Sequence, residues 1–202
     1  IHYTTDGSEP TATSPLYEKI VLVKEALTLK SATFTHGRQM GKTLILPVRW
    51  NLATAKPVLT TNPTEKLLTN GIRGSLKYSD FEWCSWTDND SVSFTIDLLK
   101  PEVLNTLTLG CITNNGMAIH KPASVKVEVS DDNSKFREAA MQSFTPKEIF
   151  REGNFIENLS LKLGGIQGRY VRVTAKGPGV CPASHVRPGQ TSRIFFDEVI
   201  LE

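Results

Sequence analysis

The chain has 202 residues, of which 39% are apolar and 22% charged, an ordinary globular composition for one large or two smaller domains. Its net charge is +2, with seven basic and four acidic residues up to Lys56, so it lacks the basic stripe that nucleic acid or an anionic membrane would require. No stretch reaches the length of a membrane span, and the chain enters directly on strand-like residues at Ile1 without a signal peptide, as expected of a piece of a longer protein.

Residues 1–54 read as a small β module. The opening IHYTT runs into Asp6-Gly7, a turn signal because glycine tolerates positive φ at no steric cost. Ser8-Glu9-Pro10 and Ser14-Pro15 keep the chain irregular up to Tyr17. Strands are expected over 19–23, 26–34 and 39–47, with His36-Gly37 turning between the last two. NLATAKP, residues 51–57, is small and polar with one proline and reads as the linker.

Residues 55–202 read as a second all-β domain of a size suited to one sandwich. It begins with a loop carrying Tyr78, Phe81, Trp83 and Trp86 among the carboxylates Asp80, Glu82, Asp88 and Asp90. Loops normally run over the surface, so rings in number either fold back to cap the core or face a ligand. Trp83 is expected inside. For Trp86 both readings stand. The alternating strand 92–98 follows, then strands over 104–111, 124–130, 136–144, 158–163, 170–175 and 194–201. Val125, Val127 and Val129 alternating with Lys126, Glu128 and Ser130 mark a half-buried strand. One helical turn is expected within 146–151. Cys84, Cys111 and Cys181 make an odd count, so at least one is unpaired within the chain; they are expected as small hydrophobes of a core, with a Cys84–Cys181 bridge as the alternative.

Two resemblances follow from these residues. YTTDGSEPTATSPLY, with the strand pair ending in SATFTHGRQMG, resembles the chitobiase/hexosaminidase C-terminal module of bacterial family 20 glycoside hydrolases. That resemblance implies a small immunoglobulin-like β-sandwich beside a catalytic barrel. The second half is similar to the coagulation factor V/VIII type C, or discoidin, domains and among them to family 32 carbohydrate-binding modules. LTNG, SFTIDL, VKVEVSDDNSKF, RYVRVTAKG and CPASHVRPGQTSRIFFDEVIL carry the likeness in order. It implies a galactose-binding-like jelly-roll β-sandwich, a glycan partner and an exported setting, in the periplasm or at the cell surface. The expected fold class is therefore all-β throughout.

The residues offer no catalytic pair. Glycoside hydrolysis needs two carboxyl groups about 5–10 Å apart across one bond. Asp197 and Glu198 are neighbours on an expected strand and so should point to opposite faces. No nucleophile elbow, phosphate loop or zinc-ligand pattern is present in the sequence. The fragment is expected to be non-catalytic, as an accessory region of an exported β-N-acetylhexosaminidase-like enzyme that binds terminal galactose or N-acetylhexosamine. The alternatives are a lectin-like adhesin and a structural spacer. For sugar, Trp86 would supply the apolar wall, and Asn114, His120, His185 and Arg187 the hydrogen-bonding groups. The resemblance further implies a structural calcium ion at Asn70 and Glu198, Asn70 standing where the family more usually has Asp. The alternative there is a cation-free Asn-Gly turn.

Overall fold

A computed structural model of the chain describes residues 1–60, 63–86 and 91–202. It separates into two compact units, Ile1–Trp50 and Asn51–Glu202. Asp88 and Asp90 of the aromatic loop lie outside the described residues.

The first unit is a three-stranded antiparallel sheet in the order β1 (His2–Thr4), β2 (Leu27–Thr35), β3 (Arg38–Val48). His36 and Gly37 make the β2–β3 turn, both at positive φ. Residues 19–23, expected as a strand, form none. Both edges of β2 are already paired, to β1 and β3, and Ile20 and Leu22 stand 86% and 76% exposed. Of this unit's described apolar side chains, only Pro10, Ala32 and Val48 are buried.

Asn51–Pro57 is not a free linker. Asn51 Oδ1 accepts from Ala53 N at 2.8 Å and from Leu201 N at 3.1 Å, and Ala53 is fully buried. The amide side chain thus ties the segment to the last strand, and the second compact unit takes in residues from Asn51 onward.

The second unit contains β4 (Val58–Leu59), β5 (Cys84–Trp86), β6 (Ser91–Asn114), β7 (Ser124–Ser130), β8 (Arg137–Ser143), β9 (Asn154–Lys176) and β10 (Ile194–Leu201). Their antiparallel pairings make one sheet folded into two layers. β6 and β9 pair from Ser91↔Lys176 to Asn114↔Asn154, with register shifts near their middles. Beyond the shift each continues in the other layer. The first half of β6 meets β4, and the second half of β9 meets β7, which meets β8. The second half of β6 meets β10, which meets β5. Separate strands expected at 92–98 and 104–111, and at 158–163 and 170–175, are therefore the halves of two long bent strands.

The bends have local causes. Leu99 sits at φ 70°, and Gly164 and Gly165 at 70° and 76°. The Leu99 conformation is held because Asp97 Oδ1 accepts from Leu99 N at 2.8 Å. Arg169 clamps the same carboxylate through Nε and Nη2 at 2.7 and 2.8 Å, which holds Asp97 below the usual carboxylate range. Between the layers lie Phe94, Ile96, Leu107, Leu109, Val127, Val173 and Phe196, with Cys84 and Cys111. All three cysteines are free and buried, and burial pushes the Cys84 thiol up to about 12. The one α-turn, Pro146–Ile149, is closed by a capping box between Thr145 and Glu148.

Candidate functional site

The two tryptophans of the aromatic loop are both inside. Trp83 is 6% exposed, packs with Ile112, Ile119 and Phe195, and donates from Nε1 to Ser75 O at 3.0 Å. Gly74 makes this approach possible, since any Cβ there would run into the indole. Trp86 corrects the expectation of a sugar wall. It is 8% exposed, stacks on Phe94 with ring centroids 6.3 Å apart, meets Phe196 edge-on at 5.5 Å, and donates from Nε1 to Glu65 Oε1. The reason is its strand: Trp86 pairs with Ile194 in β5–β10, and its side chain enters the space between the layers.

Loops at one end of the sandwich bring the other expected residues near one another without making them all accessible. Asn114 caps the turn Asn115–Met117, its Oδ1 accepting from Met117 N at 3.1 Å. Arg187 folds over the same turn, donating from Nε to Gly116 O and from Nη1 to Gln190 Oε1. His120 is fully buried, so it cannot touch a glycan. Burial first, and then the neighbouring His185, push His120 down to about 4 and keep it neutral. Its Nε2 lies 3.1 Å from His185 Nε2, and Phe150 packs against both rings. His185 Nδ1 accepts from Arg187 N at 2.9 Å, so His185 Nε2 carries the proton shared with His120.

Beside His185 a cavity of about 140 Å³ is lined by Asn115, Phe150, Glu152, Pro182, Ser184, His185 and Val186. Asn115 is buried, and its Oδ1 makes no hydrogen bond. Asn115 N donates to Gly153 O, and the next residue, Asn154, donates from Nδ2 to Leu76 O. The loop holding Leu76 also carries Phe81, 92% exposed. Of the five expected sugar residues only His185 lines the cavity.

The two adjacent carboxylates of β10 have different partners. A register shift between Phe196 and Val199 removes the strict alternation expected there, and both side chains reach residues 71–74. Asp197 accepts from Arg73 Nε at 2.7 Å and from Gly74 N at 2.9 Å. Glu198 is fully buried and accepts only from Gly71 N through Oε2, at 3.1 Å. Its Oε1 has no partner in hydrogen-bond geometry, although the Asn51 amide lies close enough to favour the ionised form. Burial dominates and pushes Glu198 up to about 9. Asn70 Oδ1 accepts from Ile72 N, and Nδ2 donates to Glu82 Oε2. The orphaned, buried Glu198 Oε1 is an oxygen donor of the kind a hard cation takes, whereas Asn70 Oδ1 is already engaged by Ile72 N.

Sequence reasoning missed Asn115, Glu152, Ser184 and Phe81. A signal existed for Phe81, which lies among charged residues in Ser79-Asp80-Phe81-Glu82, whereas Trp86 is at an inward position of a strand too short to register. Asn115 was visible only as one of two asparagines before a glycine.

Comparison with known proteins agrees with this architecture. Residues 54–186 match the F5/8 type C domain family, and residues 1–44 the chitobiase/beta-hexosaminidase C-terminal domain family. Among solved structures, CpGH89CBM32-6 from Clostridium perfringens superposes with a TM-score of 0.50 at 18% identity, over 76% of this chain and 98% of that one. A fucose binding module from Streptococcus pneumoniae gives 0.48 at 18% identity, over 76% and 97%. The C-terminal domain of a chitobiase from Bacteroides fragilis gives 0.41 at 15% identity, over 68% and 78%. No curated protein sequence matches the chain. No helix among the described residues is long and apolar enough to cross a membrane.

Proposed function

Through residues 54–186 the chain belongs to the F5/8 type C domain family, and from that premise we propose that its second unit binds the terminal sugar of a glycan. The observation that carries this reading is the cavity beside His185, where Asn115, Glu152, Ser184 and His185 share the lining with Phe150, Pro182 and Val186. A few aimed polar groups against apolar walls suit a pyranose, which has hydroxyls at its rim and C–H groups on its faces. At about 140 Å³ the cavity is well below the usual ~300–1,000 Å³ of ligand pockets, so it seats one terminal ring and no longer chain. Galactose and N-acetylhexosamine are the sugars proposed. Phe81 is the exposed ring available for stacking in place of Trp86. Affinity is set at roughly 0.1–1 mM, about −4 to −5.5 kcal/mol, because sugar hydroxyls exchange water hydrogen bonds for protein ones at small net gain.

In this reading the chain is the accessory region of an exported glycoside hydrolase of the β-N-acetylhexosaminidase kind, in the periplasm or at the cell surface, and the catalytic domain belongs to the same longer protein. The chitobiase-type first unit supports that placement. We propose also that Asn70 and Glu198 hold a structural calcium ion. The ion would supply the charge that the Glu198 carboxylate lacks in its buried position.

A glycan array followed by titration of the sugars retained tests the function. Phe81→Ala and Asn115→Leu should each weaken binding several-fold while the chain stays folded. Absence of binding to any hexose or hexosamine at millimolar concentration would leave the spacer role standing.

A further inference from the structure

We propose that His120, Cys181 and His185 form a binding site for a divalent metal ion of the zinc class. The site stands whether or not the cavity beside it binds sugar. Their ligand atoms all lie within 4.8 Å of one another, and the three residues are 0%, 3% and 9% exposed. They come from two segments that the backbone already holds together. Cys181 and His185 belong to a loop closed at its neck by Cys181 N–Gln190 O at 2.9 Å and Gly189 N–Cys181 O at 3.0 Å. His120 is tied to the far side of that neck, its N donating to Arg193 O at 3.0 Å.

The spacing fits a metal of this kind. Zinc–nitrogen bonds of about 2.0–2.1 Å at a tetrahedral angle place two nitrogens roughly 3.3–3.4 Å apart. The two Nε2 atoms are 3.1 Å apart, so they need to spread by a few tenths of an ångström and turn off their mutual hydrogen-bond axis to face one ion. Two imidazoles and a thiolate are borderline and soft donors, which select zinc-class ions over calcium or magnesium. Three protein ligands leave a fourth position for water or another ligand. Outside the ligand set, His120 Nδ1 faces the Ile149 backbone without reaching hydrogen-bond geometry, where its N–H can serve to orient the ring.

Proton balance gives the site a consequence. In the metal-free chain His185 Nδ1 accepts from Arg187 N, and His185 Nε2–H donates to His120. Metal on both Nε2 atoms moves the His185 proton to Nδ1, where it opposes the Arg187 N–H. Binding therefore breaks that hydrogen bond, re-sets residues 185–187, and releases one proton to solvent from the Cys181 thiol. Cys181 Sγ also exchanges its 3.3 Å contact with Ser192 Oγ for the metal. Because Ser184, His185 and Val186 line the cavity, the metal would reshape one of its walls.

The test titrates the reduced, chelator-stripped chain with cobalt(II), then displaces cobalt with zinc. One equivalent should give a thiolate-to-cobalt band and tetrahedral visible bands, with one proton released. Cys181→Ser should abolish the thiolate band while retaining the wild-type circular dichroism, and His185→Gln should weaken binding at least tenfold. Zinc should shift the Arg187 amide resonance. Lack of a stoichiometric thiolate band in the folded, reduced chain would overturn the proposal. So would a band of unchanged intensity in Cys181→Ser.

Discussion

The two units place their apolar residues in opposite ways. The second buries an unbroken set from both layers, including Phe94, Ile96, Leu104, Leu109, Val127, Val173 and Phe196. The first leaves Ile20, Leu22, Met40, Leu44 and Ile45 each more than half exposed and buries only Pro10, Ala32 and Val48 among its described apolar side chains. Strand content therefore does not measure stability. Both units are β, but only the second buries a continuous apolar core, and such burial is what offsets the entropy of ordering a chain.

The strongest way to break that contrast is to separate the units between Trp50 and Asn51. Residues 51–202 should give a dispersed spectrum and one cooperative melt, and residues 1–50 alone should give neither, as expected for a unit this short without a core. A two-state transition in the isolated first unit would reverse the comparison.

Within the second unit, Trp86→Ala should cost about 3–5 kcal/mol by chemical denaturation, because the indole fills space between Phe94 and Phe196. Sugar affinity should be unchanged where the variant remains folded. Loss of affinity without loss of stability would return Trp86 to the binding surface.

Calcium sharpens the contrast next. At a hundredfold excess over its Kd the ion should stabilise the second unit by about 2.7 kcal/mol and leave the first unit unmoved. Glu198→Gln should remove that increment. Identical melting curves in calcium and in chelator would rule the site out.

The smallest expected effect belongs to the strand bend. Arg169 holds the Asp97 pKa below its ordinary value, so the pair contributes stability above the unfolded Asp pKa of about 4, lost as pH falls through the lower folded value. Arg169→Gln should lower stability slightly at neutral pH and flatten that acid limb. An unchanged acid limb in the variant would place the proton uptake elsewhere.

How much of this was legible in the sequence depended on distance along the chain. β7 emerged at its full extent, Ser124–Ser130, because alternating valines report burial locally. The long strands β6 and β9 read as four pieces, since a bend at Leu99 or Gly164-Gly165 looks in sequence like an end. Trp86 was misplaced because β5 has three residues, and its inward face is fixed only by pairing with Ile194. The Asp197-Glu198 bulge likewise defeats simple alternation. Cys181 and His185, four residues apart, formed no recognisable metal-ligand pattern in the sequence. His120, which meets His185 in the structure, lies 65 residues from it, a separation that only the folded loops close.

The central claim is that one terminal sugar sits beside His185. The most direct measurement is a residue-resolved NMR titration of the whole chain with galactose and with N-acetylhexosamine. The account predicts saturable shifts at about 0.1–1 mM, concentrated at Asn115, Glu152, Ser184 and Val186, and absent from β1–β3. A folded chain with no saturable shifts at those residues would contradict it.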